Sequence, residues 1–262
     1  MAGDRADVGR RRRVPDRGGA VRSGDLAPQG EAVIAPDGIQ VGVPVSLKGP
    51  PPGTPLAEVG ADFADLPQPK EIRTATGKST AVSLIASLVL THRRSDPRYR
   101  AMKNPPPEHA AVGHFERSRW TDEAWTDTDG LARALDAGAV LLQTPASFKA
   151  STEHATRLEN CVAHAMRPQV SLAWEWMKGS WPDRKALDLC DRIGAVPVID
   201  PLAAPIPDTE YVYLRIGRSS SRKPIHDDDL KEVALQIRDR TGWVVFSNPS
   251  GPADAHRLLD ML

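Results

Sequence analysis

Eight short apolar runs constrain this chain more than any other feature: residues 39–43, 57–61, 82–90, 140–143, 170–174, 195–199, 211–216 and 243–246. Most are continuously hydrophobic rather than alternating, as a parallel strand covered on both faces by helices requires. Helix-patterned segments separate most of them. Strand and helix in such alternation close as a (β/α)8 barrel of the TIM type, and the 262 residues match the roughly 250 that such a barrel uses. In a barrel the side chains at the C-terminal strand ends surround the reaction centre, so the strand order also nominates the site.

The intervening segments carry apolar residues three and four apart, the single buried stripe of a barrel-coating helix. They are 129–137 (Leu131, Ala134, Leu135), 152–166 (Leu158, Val162, Met166), 185–193 (Leu187, Leu189, Ile193) and 228–240 (Leu230, Val233, Ala234, Ile237). Ser151 with Thr152, and Asp227 with Asp228, offer N-cap oxygens, while Gly138, Gly194 and Gly242 stand where helices end. The first and sixth crossovers are expected to be irregular. Segment 46–56 holds Pro50, Pro51, Pro52 and Pro55, and segment 201–208 holds Pro201, Pro205 and Pro207. Segment 93–120, broken by Pro105, Pro106 and Pro107, is expected as a lid or rim over the barrel mouth. Residues 1–36 are rich in Gly, Arg and Asp, include the arginine run 10–13, and have almost no aliphatic side chains. They cannot bury enough apolar surface to offset the entropy of ordering, so a disordered basic tail is expected ahead of one barrel domain, 37–262. The arginine run reads either as a solvated tail or as a nucleic-acid or targeting patch.

Lys and Arg total 34 and so do Asp and Glu, so net charge leaves no footprint for nucleic acid or an acidic membrane. Cys161 and Cys190 lie on helix-patterned stretches without a CxxC spacing, which fits helix packing in a reducing cytoplasm. No apolar stretch approaches the roughly 20 residues of a membrane span, and the N-terminus lacks the apolar core of a secretory signal.

Polar residues at or near the ends of apolar runs are Glu58, His92, Gln143, Glu175, Asp200, Arg215, Arg218 and Asn248. A buried polar group is costly unless paired, so such a set gathers around a ligand or around one another. Glu175 directly follows Trp174 and reads as a general acid or base, or equally as an ion-pair partner of Arg215. His92 ends the longest run and reads as a proton shuttle or ligand, or as a capping side chain. Asp200 precedes Pro201 and either orients His92 or forms a turn. A metal set of His92, Glu175 and Asp200 has no short ligand motif behind it, so no metal and no cofactor are expected. The loop of Gly217, Arg218, Ser219, Ser220, Ser221, Arg222 and Lys223 follows strand seven, where barrels often hold phosphate. Asn248, Pro249, Ser250 and Gly251 then open a helix whose N–H groups favour an anion. Thr76-Gly77-Lys78-Ser79 ends like a P-loop, but Ile72 occupies the leading glycine position and no strand precedes it. The six tryptophans read as packing residues, with Trp176 and Trp181 near the mouth beside Glu175.

Several stretches, in order, resemble the DUF72 (YecE-like) family. They are Ala57-Glu58-Val59 with Asp62-Phe63 and Leu66-Pro67; Leu90-Thr91-His92; Val112-Gly113 then Ala124-Trp125; and Gln143-Thr144-Pro145-Ala146-Ser147-Phe148. Trp174-Glu175 with Ser180-Trp181, Tyr211-Val212-Tyr213-Leu214-Arg215 with Gly217-Arg218, and Phe246-Ser247-Asn248 with Gly251 and Ala253 complete the series. The resemblance covers about 39–262 and implies a barrel whose biochemical role is not settled. This chain departs from the family pattern at Ala64, at Trp176 or Met177, at Ile216 and at Ser247. Three functions follow as expectations. One is a metal-independent enzyme acting on an anionic, phosphorylated small molecule, with Glu175 and His92 in proton transfer and Arg215 and Arg218 holding charge. The second is a non-catalytic binder of nucleic acid or another polyanion. The third is a family-like barrel with a weakened site. Oligomeric state is not legible.

Overall fold

The computed structural model of the chain describes residues 37–45, 53–60, 65–165, 170–217 and 224–262. The tail, the tip of the first crossover, Ala64 and the basic loop with Arg218 lie outside the described residues.

Eight parallel strands close into one barrel in sequence order. They are β1 (Ile39–Val45), β2 (Leu56–Val59), β3 (Ala81–Ile85), β4 (Ala139–Thr144), β5 (Ser171–Trp176), β6 (Val196–Ile199), β7 (Tyr211–Ile216) and β8 (Thr241–Phe246), with β8 pairing back onto β1. The helices are α1 (Pro69–Thr76), α2 (Leu88–Thr91), α3 (Arg119–Ala134), α4 (Thr152–Ala165), α5 (Asp183–Ile193), α6 (Asp227–Ile237) and α7 (Gly251–Leu259), with a 3-10 turn at Pro97–Ala101. Between β6 and β7 the chain makes turns without a helix, as its prolines require. Among the described residues no helix is long and apolar enough to cross a membrane.

Three expectations are corrected. The run 82–90 is not one strand: β3 stops at Ile85 and Ser87 caps the short helix α2, accepting from the N–H of Val89. A continuous apolar stretch serves a buried strand and a buried helix equally, so periodicity could not divide it. The helix expected at 129–137 starts ten residues earlier and stops sooner: α3 runs Arg119–Ala134 behind the Ser118 cap, whose Oγ accepts from the N–H of Thr121. Gly242 closes no helix. It lies in β8 at φ 136, where a Cβ would sit 2.0 Å from the carbonyl oxygen of Val212. The P-loop resemblance ends here too, since Thr76 closes helix α1 rather than following a strand.

Strand side chains alternate between two cores. One parity faces the helices: Val41, Val43, Val59, Leu84, Leu142, Trp174, Leu214 and Val244 belong to the outer core. The other fills the barrel interior with Leu56, Ile85, Leu141, Val196, Val198, Tyr213, Trp243 and Val245. Trp243 and Tyr213 occupy this interior with ring centroids 5.8 Å apart, and the small side chains Ala139 and Ala173 share the same interior core. At Gly42 the approach is absolute, for a Cβ would lie 1.9 Å from the Leu56 carbonyl oxygen on the paired strand. Gly130 in α3, by contrast, has nothing within 4 Å of the same position. Gly42→Ala is therefore expected to cost about 3 kcal/mol or more, whereas Gly130→Ala should stabilise by about 0.5–1 kcal/mol. Urea unfolding of both variants checks this, and equal effects would contradict the β1–β2 contact.

Candidate functional site

The interior parity brings distant carboxylates to one layer. Glu58 stands two residues beyond interior Leu56, Gln143 beyond Leu141, Glu175 beyond Ala173, Asp200 beyond Val198 and Arg215 beyond Tyr213, so all five share the inward parity at C-terminal strand ends. Arg215 reaches from β7 across the barrel to Glu58 on β2. Its Nε donates to Oε1 and Oε2 at 3.1 Å each, and its Nη2 donates to Oε2 at 2.9 Å. Its Nη1 faces Glu175 Oε1 on β5 at 3.6 Å. Register sets Gln143 directly opposite Glu175, and its Nε2 donates to Glu175 Oε2. The Thr144 hydroxyl donates to the Glu175 carbonyl at 3.1 Å, and Trp174 Nε1 donates to Thr144 Oγ1 at 3.1 Å.

Neither Tyr213 nor Ser83 was nominated from the sequence. The Tyr213 hydroxyl donates to Glu58 Oε1 at 2.9 Å and stands 2.9 Å from Ser83 Oγ, which therefore donates to it. Burial and the neighbouring Glu58 hold the Tyr213 phenol well above its ordinary value, so it stays a donor. Arg215 is raised by Glu58 against the effect of its own burial and stays charged. Glu58 is fully buried and Glu175 is 3% exposed. The layer thus holds two carboxyl groups around one guanidinium. That settles which acid is the tighter partner of Arg215: it is Glu58.

The other expected residues lie around this layer. His92 is not at a strand end but caps the C-terminus of α2, and its hydrogen bonds run to its neighbours rather than into the layer. Its Nδ1 lies 2.7 Å from Thr91 Oγ1, and its carbonyl accepts from Tyr99 Oη at 2.8 Å. Among the described residues no three His, Cys, Asp or Glu side chains converge as a metal set, so His92, Glu175 and Asp200 do not form one. Asp200 makes its turn, accepting from the N–H of Leu202 at 3.0 Å, and also accepts from Gly217 on the next connection. Desolvation raises its pKa. Trp181 is a buried brace: its Nε1 donates to the Phe148 carbonyl at 2.7 Å and its ring meets Trp174 edge-on.

Asn248 donates from Nδ2 to Asp254 Oδ2 at 3.0 Å, while its buried Oδ1 lies beside Gly217, where a Cβ would come within 2.8 Å. The start of α7 does not offer a free anion cradle. The N–H groups of Gly251, Ala253 and Asp254 already donate to the carbonyls of Asn248 and Ser250, Pro252 has none, and the fully buried Asp254 carboxylate sits in the first turn.

The barrel is shared with solved structures of DUF72-family proteins. One from Thermotoga maritima is 16% identical with a TM-score of 0.58, covering 86% of this chain and 97% of that one. One from Enterococcus faecalis is 19% identical with a TM-score of 0.57, covering 86% of this chain and 96% of that one. No family model and no curated protein matches the sequence. At these identities the likeness establishes a DUF72-like barrel fold.

Burial, with Arg98 adding to it, pushes His92 down to about 4 from 6.5. The folded ring stays neutral where the unfolded ring takes a proton, so this contribution to stability is intact above pH 6.5 and is lost as pH falls toward 4. Between pH 7 and 5 the loss from this residue is about 1–2 kcal/mol. Urea unfolding at both pH values should show it, and His92→Gln should flatten it; an unchanged slope in the variant would contradict a buried neutral ring.

Proposed function

We propose that the protein is a barrel enzyme working at its C-terminal mouth on an anionic small molecule of the phosphorylated kind, with Glu175 as the proton-transfer group. One observation carries this reading: a single guanidinium serves two buried carboxyl groups, and its two-pronged contact goes to Glu58. Glu175 meets the guanidinium only by its Nη1 edge, at 3.6 Å, and also accepts from the Gln143 amide. A group that gains and loses a proton in a water-poor pocket is what general acid–base catalysis asks for. Glu58, saturated by Arg215 and Tyr213, holds the guanidinium in place instead.

The substrate's negative charge belongs on the rim, away from this layer, because a buried anion beside two carboxylates is repelled. Rim cations include Arg93, Arg94, Arg98 and Arg100, and the sequence adds Arg218, Arg222 and Lys223.

Incubation with a panel of sugar phosphates and nucleoside monophosphates, followed by NMR of the products, tests this. Turnover in the native protein should fall by about 100-fold or more in Glu175→Gln, with the fold and substrate binding retained. Salt-sensitive binding of long polyanions, without turnover of any panel member and indifferent to Glu175→Gln, would instead make the protein a binder.

A further inference from the structure

The connection between β3 and α3 carries a second polar cluster that the Glu58–Arg215–Glu175 layer does not use. Gly113, His114 and Phe115 follow one another at φ 77, 53 and 53, a left-handed turn that two of the three residues adopt at a cost. Backbone hydrogen bonds hold it on the end of α2. The N–H groups of Gly113, His114 and Phe115 donate to the carbonyls of Val89, Thr91 and Leu90 at 2.8, 3.1 and 2.9 Å. At Gly113 a Cβ would lie 2.2 Å from the His92 carbonyl carbon, so glycine is required there.

This turn buries the His114 ring between a cation and a hydroxyl. Arg93 Nε lies 3.2 Å from His114 Nδ1, and His114 Nε2 lies 2.9 Å from Ser147 Oγ on the β4–α4 loop. A guanidinium only donates, so Nδ1 must present its lone pair and the neutral ring carries its hydrogen on Nε2. Burial and Arg93 push the ring down to about 4, so it stays neutral near pH 7. His114 therefore donates to Ser147 and cannot serve as its base, which rules out a serine nucleophile activated by this histidine. The Ser147 oxygen is occupied as an acceptor. Among the described residues its own hydrogen meets no acceptor, and it is presented from an exposed position beyond the C-terminal end of β4. Arg93 polarises the ring, and the ring polarises the hydroxyl. Arg93, Arg94, Arg98, Arg100 and Lys103 stand within one short segment whose acid, Asp96, is paired with Arg98, while Glu116 beside His114 is shared between Arg93 and Arg157.

We propose that Ser147, backed by His114 and Arg93, is the donor head of an anion subsite on the β3–β4 side of the mouth, taking a carboxylate or phosphate oxygen of the substrate. It rests on the reading of the mouth as the site of an anionic substrate, and it moves the grip on that charge away from α7, whose first N–H groups are already used.

Nitrogen-15 NMR of the labelled histidines, with inorganic phosphate and acetate as probes, tests the subsite without needing turnover. The native protein should show His114 protonated at Nε2, and Arg93→Met should shift the ring toward the other tautomer. Phosphate or acetate should perturb His114 saturably, with affinity falling by about tenfold in Ser147→Ala while the unfolding midpoint stays put and Glu175→Gln binds no more weakly than native protein. Preference for phosphate assigns a phosphorylated substrate, and equal or better binding of acetate assigns a carboxylate. A native ring protonated at Nδ1, no saturable perturbation by either anion, or less than about a twofold change in Ser147→Ala overturns the subsite. Loss of turnover in Glu175→Gln would still uphold the proton-transfer reading in that event, so the two fail separately.

Discussion

The guanidinium of Arg215 is the one charge around which the upper barrel is organised. A cation buried at this depth costs several kcal/mol unless geometry and additional hydrogen bonds repay it. Here the planar fork matches the Glu58 carboxylate edge to edge, and Tyr213 with Ser83 behind it satisfies one of the remaining lone pairs of Glu58. A lysine at this position would neutralise one carboxylate but could not present a second, separately aimed edge to another. Because the fork is committed on one side, its Nη1 is held toward Glu175, and three strands that are not neighbours, β2, β5 and β7, are tied across the barrel.

Beneath this layer the interior core mixes large side chains with small ones, Trp243 and Tyr213 with Ala139 and Ala173. That packing makes a rigid floor, so polar side chains one step higher have little freedom to rearrange. Above it, the connections after β3 and β4 form a rim that is cross-braced by Trp181 to Phe148 and by the left-handed turn on α2. Rigid floor and loop-built rim divide the work in the manner of barrels generally, with chemistry placed by strands and specificity by connections.

Much of this was legible in the sequence, for identifiable reasons. Glu58, Gln143, Glu175 and Arg215 stood out because each interrupts or ends a run that is otherwise apolar, and strand parity then leaves them one direction to point. Tyr213 and Ser83 were not legible, since a tyrosine and a serine inside a strand look like ordinary packing until the partner across the barrel is known. Glu58 and Arg215 are far apart in sequence, and nothing local announces which acid an arginine will choose. His92 was misplaced because the run through Leu90 conceals the turn at Ser87 where strand gives way to helix. His114 had one local signal, the preceding Gly113, whose positive φ carries over to the next two residues through hydrogen bonds that only the tertiary structure supplies.

A double-mutant cycle on Glu58→Gln and Arg215→Met, read by urea unfolding, tests the central claim most directly. If Arg215 is the shared counter-charge of a buried layer, either change alone strands a charge and costs about 3–5 kcal/mol, and the pair together costs less than the sum by about 2 kcal/mol or more. Additivity to within about 0.5 kcal/mol would mean that the two side chains do not depend on one another, and the layer would lose its organising charge.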